Sequence, residues 1–145
     1  MISVVVVDGS ITPKWYFQEI HSAEAELLLT AAQLRLLAPA FLLVEFGSVL
    51  TKKIRRGELS LASGVLRSET LANAGLELAD DADLLPEALE LATQYHPSLY
   101  DCLYAALALR EGCQVVTADR PFYDALRVPF PSAMLWIEDL PAALA

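Results

Sequence analysis

Two cysteines and two histidines are all that the 145 residues contain, and basic residues are scarce as well. Cys102 and Cys113 have neither metal-type spacing nor partner histidines, so the sequence points to a reduced, cytoplasmic setting. His21 and His96 fall at helix boundaries and look incidental. Ten Lys and Arg against nineteen Asp and Glu leave a net charge of −9. That balance argues against a general electrostatic affinity for nucleic acid, which normally needs a basic face. It fits solubility, metal binding or a basic protein partner equally well. Long apolar runs are missing too. The longest candidate, 36–44, is interrupted by Pro39, so no membrane span is expected. The start has no basic region or cleavage site of a signal peptide. Repeats, low-complexity tracts and linkers are absent, and the length suits a single domain over residues 1–145.

What is present is apolar bulk: 55% hydrophobic residues and a mean hydropathy of +0.42, with Leu and Ala prominent. Val4-Val5-Val6-Val7 is an unbroken β-branched run, as expected of a strand buried on both faces in a parallel sheet. After it, Ser10 is positioned as an N-cap for a short helix over 14–17 with Pro13 in its first turn. A second helix starts at Ser22, and Ala25, Leu28, Leu29, Ala32 and Leu36 recur at helical spacing as its buried face. Residues 36–38 read as a strand closed by Pro39. Helices follow over 41–56, ended by Gly57, and from Ser60 to about 73–75. Residues 76–78 read as a brief strand. Helices over 84–95, preceded by Asp80, Asp81 and Asp83, and over 99–111, ended by Gly112, come next. A strand over 114–117, a short helix to about Leu126 and a last strand over 133–137 complete the chain. Strands alternating with helices imply parallel strands joined by right-handed crossovers, an α/β sandwich.

Most acidic residues lie where acids belong, and Asp80, Asp81 and Asp83 read as capping and dipole-compensating groups. Four others stand out. Asp8 ends the valine strand and reads either as an Asx turn or as a charge delivered to the ligand-binding end of a sheet. Glu45 has Phe41, Leu42 and Val49 as its helical neighbours, which puts a carboxylate on an apolar face. Such a carboxylate needs a backbone amide, an Arg or a cation. Asp101 completes Ser-x-x-Asp before an apolar run, a capping-box pattern that also leaves its carboxylate near the preceding loop. Asp119 is a helix cap that repeats the strand-end position of Asp8. If their strands are neighbours, the two acids meet in one crevice. Four carboxylates in one pocket repel each other, a conflict that Mg²⁺ or Mn²⁺ resolves, and the chemistry such a site serves is phosphoryl transfer.

Val7-Asp8-Gly9-Ser10, Glu45-Phe46-Gly47-Ser48-Val49-Leu50, Leu99-Tyr100-Asp101-Cys102-Leu103-Tyr104-Ala105-Ala106-Leu107-Ala108 and Val116-Thr117-Ala118-Asp119-Arg120 resemble, in order, the motifs of PIN-domain nucleases. The VapC toxins of toxin–antitoxin modules are the nearest match, and the likeness covers nearly the whole chain. The resemblance implies a three-layer α/β/α sandwich on a parallel sheet of about five short strands. It also implies an Mg²⁺- or Mn²⁺-dependent endoribonuclease acting on a structured RNA of the tRNA or rRNA class. A homodimer inhibited by a VapB-type antitoxin is implied as well. Carried over, Asp8, Glu45, Asp101 and Asp119 are the catalytic and metal-binding set, with Ser10 and Thr117 in support. Water held by the metal would attack the phosphate, leaving a 3′-hydroxyl and a 5′-phosphate. Gly9 stands where the family often has Ala or Thr, and Ser48 where Asn is common.

Lys52, Lys53, Arg55 and Arg56 form the one dense basic cluster, best read as compensating the dipole at a helix end. Arg120 and Lys14 adjoin site acids and are candidates to steer a phosphate. Trp15, Tyr16 and Phe17 are expected in core or dimer packing. Competing readings are a catalytically inactive PIN-like scaffold that binds RNA or protein, a receiver domain, and a phosphatase. A scaffold is expected to lack a site acid. A receiver needs an acidic pair where Asp8-Gly9 stands, and an aspartyl phosphatase an Asp where Ser10 stands.

Overall fold

The valine run forms β1 (Val4–Val7), the middle strand of the sheet. The structure, a computed structural model, describes residues 2–145. The other strands are β2 (Arg35–Pro39), β3 (Glu77–Ala79), β4 (Gln114–Thr117) and β5 (Met134–Trp136). They pair in the order β3-β2-β1-β4-β5, every neighbour parallel. The α-helices among the described residues are α1 (Pro13–Tyr16), α2 (Ser22–Thr30), α3 (Phe41–Arg55), α4 (Leu61–Ala72), α5 (Asp81–Tyr95), α6 (Leu99–Glu111), α7 (Arg120–Leu126) and α8 (Leu140–Leu144). They cover the sheet in a three-layer α/β/α arrangement, as expected.

Burial explains the layering. Val5, Val6 and Val7 are sealed on both faces, and α6 packs on β1, β2 and β4 at once. Cys102 to Ala108 form an unbroken buried stretch of α6, because a helix that is apolar all round belongs inside. Its ends are specified locally. The Ser98 hydroxyl accepts the Asp101 N–H at 3.0 Å, and Gly112 takes the left-handed conformation (φ 66°) that closes the helix. The same logic starts α4 at Ser60, α5 at Asp80 and α7 at Asp119.

Several local expectations are corrected. Ser10 caps no helix: α1 begins after Thr12, without a side-chain cap, and the Ser10 hydroxyl is engaged elsewhere. The buried face of α2 is Ser22, Ala25 and Leu28 only. Leu29 is exposed, Ala32 lies beyond the helix, and Leu36 belongs to β2. The apolar residues of the next strand fell in phase with the helical period. Helix α5 starts earlier than expected, with Asp81 and Asp83 inside its first turn. Asp81 also accepts the Phe41 N–H at 3.1 Å, so it caps α3 from a neighbouring element. Strand β3 is displaced by one residue and β5 is shorter at both ends. Trp15, Tyr16 and Phe17 pack against the core, with the Tyr16 and Phe46 rings 5.2 Å apart. Cys102 and Cys113 are free and buried, and burial, then Asp101, pushes the Cys102 thiol up to about 12. No helix among the described residues is long and apolar enough to cross a membrane.

The stripe that seats α3 is Leu42, Phe46 and Leu50. Phe46→Ala is expected to destabilise the protein by about 3–5 kcal/mol, the usual loss for a fully buried Phe. Urea unfolding checks this as a lower midpoint with an unchanged slope.

Candidate metal centre

The sheet order reverses between β1 and β4, because β1 leads to β2 on one side while β4 and β5 lie on the other. Open α/β sheets hold their ligands in the crevice at the carboxyl ends of the strands at such a point. Val7 pairs with Val116, so one further residue brings Asp8 alongside Thr117. The Asp8 N–H continues the ladder to the Val116 carbonyl at 3.1 Å. Asp8 is 2% exposed and Thr117 is fully buried.

A small polar network holds Asp8. Its Oδ2 accepts the Ser10 hydroxyl at 2.6 Å and the Thr117 hydroxyl at 2.8 Å, with a longer contact from the Ser10 N–H at 3.4 Å. The two hydroxyls are themselves oriented by backbone donors of the β4–α7 turn. The Ala118 N–H donates to Ser10 Oγ at 2.9 Å, and the Asp119 N–H to Thr117 Oγ1 at 3.0 Å. Each hydroxyl takes a proton donor from the turn and donates its own proton to Asp8. The Asx-turn reading of Asp8 is thus a minor part of its bonding. Burial raises its pKa, the Ser10 and Thr117 bonds oppose that rise, and Asp119 adds to it.

The other three acids arrive on helices. Glu45 lies in the second turn of α3 on the flank of its buried stripe, a correction to the expected apolar face, since Phe41 and Val49 are only partly buried. Its carboxylate lies across Gly9, where an added Cβ would collide with Oε2, and its Oε1 accepts the Tyr104 hydroxyl at 3.0 Å. Asp101 sits in the first turn of α6, where Ser98 supplies only half of a capping box. Asp119 caps α7, its Oδ1 accepting the Phe122 N–H at 3.2 Å.

The four carboxylates act on each other electrostatically. Burial raises the Glu45 pKa to about 7, with Asp8 and then Asp119 adding to the rise against the Tyr104 bond. Burial likewise raises Asp101 to about 7, with contributions from Asp8, Asp119 and Glu45. Among the described residues no Lys, Arg or His forms an ion pair with any of the four. Their protein hydrogen bonds fall on Asp8 Oδ2, Glu45 Oε1 and Asp119 Oδ1, and among the described residues Asp8 Oδ1, Glu45 Oε2 and Asp119 Oδ2 have no such partner. Oxygen-only donors with surplus negative charge match the chemistry of Mg²⁺ or Mn²⁺ and not that of zinc or copper. Among the described residues no three such side chains are already closed around one point as a ligand set. The groups able to hold a cation ring the cleft without yet converging.

The basic candidates separate. Lys14 is tied down by Glu19 at 3.3 Å and by the Ile20 carbonyl at 2.8 Å, so it braces the α1–α2 connection. The Lys52–Arg56 cluster occupies the far end of α3, roughly 10–16 Å along the axis from Glu45 at the usual helical rise. There Lys53 lies over the Phe17 ring at 4.3 Å. Arg120, next to Asp119, is exposed and lies over the Trp136 ring at 4.4 Å, on the same rim of the sheet. His21 bonds Glu138 at 2.9 Å. A cavity of about 310 Å³ lined by Ala108, Cys113, Phe130 and Ala133 opens at the amino end of β4 and includes none of the four acids.

Sequence reasoning overlooked Tyr104 and the close approach at Gly9. The one signal for Tyr104 was an aromatic three residues after Asp101 on an otherwise Leu- and Ala-rich helix. That spacing shows a shared helix face but names no partner. Nothing in the sequence links Gly9 to Glu45.

Comparison with known proteins agrees with this architecture. The PIN domain family matches residues 5–127. Ribonuclease VapC3 of Pyrobaculum aerophilum is 32% identical over 118 residues, covering 80% of this chain and 89% of that protein. The crystal structure of PAE2754 from the same organism superposes with a TM-score of 0.72 at 21% identity, over 97% of this chain and 93% of the other. Mycobacterium tuberculosis VapC20, described as a sarcin-ricin loop cleaving toxin, superposes with a TM-score of 0.64 at 17% identity, over 83% and 94%. These last two likenesses concern the fold alone. With a family match across most of its length and a relative 32% identical over 80% of it, the chain belongs to the PIN domain family.

Proposed function

We propose that this chain is a divalent-metal-dependent endoribonuclease of the VapC type. The observation that carries the reading is the set of four carboxylates around the crevice where β1 and β4 part, none of them in an ion pair among the described residues. The similarity to Ribonuclease VapC3 supports it. Asp8, Glu45, Asp101 and Asp119 are the residues that would hold Mg²⁺ or Mn²⁺. Such an ion, when bound, supplies charge stabilisation at the scissile phosphate and a more acidic water.

The protein's own part is to hold those oxygens still. Ser10 and Thr117 keep Asp8 Oδ2 occupied, which leaves Oδ1 as the oxygen without a protein hydrogen bond. Glu45 and Asp101, raised to about 7, are partly protonated at neutrality without a cation, and binding one releases those protons. Hydrolysis adds water across the bond between phosphorus and the 3′ oxygen, leaving a 3′-hydroxyl and a 5′-phosphate. RNA must approach a chain of net charge −9, so local cations decide the path, and Arg120 beside Asp119 is the one placed to meet a phosphate. A structured RNA of the tRNA or rRNA class is the expected substrate. A VapB-type antitoxin and a second copy of the chain are the expected partners, and the exposed Leu61, Val65 and Leu66 of α4 suit such contacts. An inactive scaffold fits less well, because all four acids are present and gathered at one rim.

Purified protein with Mn²⁺ or Mg²⁺ is expected to cleave such an RNA, and EDTA or Asp8→Asn to abolish the cleavage. Unchanged cleavage by Asp8→Asn overturns the assignment. Arg120→Ala is expected to raise KM severalfold while kcat stays near the original, read from steady-state kinetics.

Proton linkage adds a third test. Between about pH 4 and about pH 7 the folded chain keeps protons on Glu45 and Asp101 that the unfolded chain has released. Metal-free stability therefore falls as pH rises through that window. Thermal unfolding in EDTA is expected to show this decline. Glu45→Gln and Asp101→Asn flatten it, and Mn²⁺ raises the melting temperature more at the upper end of the window than at the lower.

A further inference from the structure

Glu45 is the most mobile of the four acids by chemistry, a long side chain with three rotatable bonds on the flank of a helix. Holding such a chain in one rotamer is opposed by its conformational entropy. Two features hold it here. The Tyr104 hydroxyl donates to Oε1 at 3.0 Å, and Tyr104 itself is fully buried in α6, so the donor cannot move away. On the other side the carboxylate rests against the bare backbone of Gly9, where a methyl group would collide with Oε2 and Cδ. The φ of Gly9 is not in the left-handed region, so what glycine supplies here is room beside the Glu45 carboxylate and not backbone freedom.

We propose that Tyr104 is the positioning residue for Glu45: its hydroxyl, with the space left by Gly9, holds the Glu45 carboxylate in one orientation near Asp8, with Oε1 occupied and Oε2 left for a ligand. The inference rests on the nuclease reading above and extends it to residues outside the acidic set. Tyr104 follows Asp101 by three residues, so the two share a face of α6. One rigid helix thus delivers a carboxylate of the site and fixes the orientation of a second carboxylate carried by α3. The phenol is suited to this task, since burial first, then Glu45 and Asp8, raise its pKa far above the ordinary value and keep its proton in place. A group that stays protonated always donates, so the bond persists whether Glu45 is charged or neutral. The hydroxyl occupies Oε1 alone, and which oxygen is left for a ligand is settled before any ligand arrives.

The test is Mn²⁺ affinity without RNA, read by electron paramagnetic resonance or calorimetry, with thermal unfolding as the check on folding. Tyr104→Phe keeps the ring and removes only the bond. It is expected to weaken Mn²⁺ binding by about tenfold or more, as loss of a ligand-orienting partner typically does. In a Glu45→Gln background the same change is expected to cause little further loss, because its partner is already altered. Gly9→Ala is expected to weaken Mn²⁺ binding with the melting temperature held or slightly raised, since Ala is compatible with that backbone. A folded Tyr104→Phe that binds Mn²⁺ as tightly as the parent overturns the inference, as does a full additive loss on top of Glu45→Gln. Should Tyr104→Phe not fold, Gly9→Ala decides by the same readout: unchanged affinity overturns the inference. A parent protein that neither binds Mn²⁺ nor cleaves RNA overturns the nuclease reading itself.

Discussion

Burial of carboxylates at the rim of an apolar sheet, with their mutual repulsion added to it, is the constraint on which this arrangement depends. Asp8 is the extreme case, a charge almost sealed from water at the end of a strand with no basic residue against it. The interior tolerates it because two hydroxyls, each steadied by a backbone amide of the β4–α7 turn, donate to the same oxygen. Hydrogen bonds to the charged form favour ionisation, burial opposes it, and here burial wins, so the folded chain alone leaves the group strained toward neutrality. The same conflict recurs at Glu45 and Asp101. A site that disfavours its own charges in this way gains most from a ligand that brings positive charge.

The rest of the fold serves to keep these acids in place. Strand β1 is buried on both faces and cannot shift without exposing its valines, which anchors Asp8. Helix α6 is buried along most of its length, so Asp101 and Tyr104 are carried on a rigid element in the middle of the molecule. Helix α3 docks by Leu42, Phe46 and Leu50, and its first N–H is capped by Asp81 from α5. Each acid therefore comes from a different element, and each element is fixed by apolar contacts on its opposite side. Sites built on strands and helix ends in this manner hold geometry more closely than sites on loops.

Where a residue's role was set by its immediate neighbours, the sequence was a good guide. Ser98 and Gly112 bound α6 as expected, and the Gln114–Thr117 strand follows from β-branched residues after a helix stop. Asp119 caps its helix and stands at the rim, both as expected. Ser10 shows the opposite case. A serine shortly before a proline suits an N-cap, but its hydroxyl serves Asp8 and the Ala118 amide, 108 residues further along the chain. The period of α2 also misled, since Leu36 continued a helical spacing into a strand.

By itself the sequence determined the kinds of element, their order and the four acids that had no ordinary place among them, because caps, β-branched runs and apolar periodicity act within a few residues. Tertiary structure alone decided that β4 lies beside β1, which brings Asp119 to Asp8. It also decided that Glu45 rests on Gly9 beneath the Tyr104 hydroxyl. Those contacts join residues between 36 and 111 positions apart, and the only force that selects them is the joint packing of all the apolar faces at once. A sequence pattern records which residues seek burial; which polar groups are brought together by that burial is a property of the completed fold.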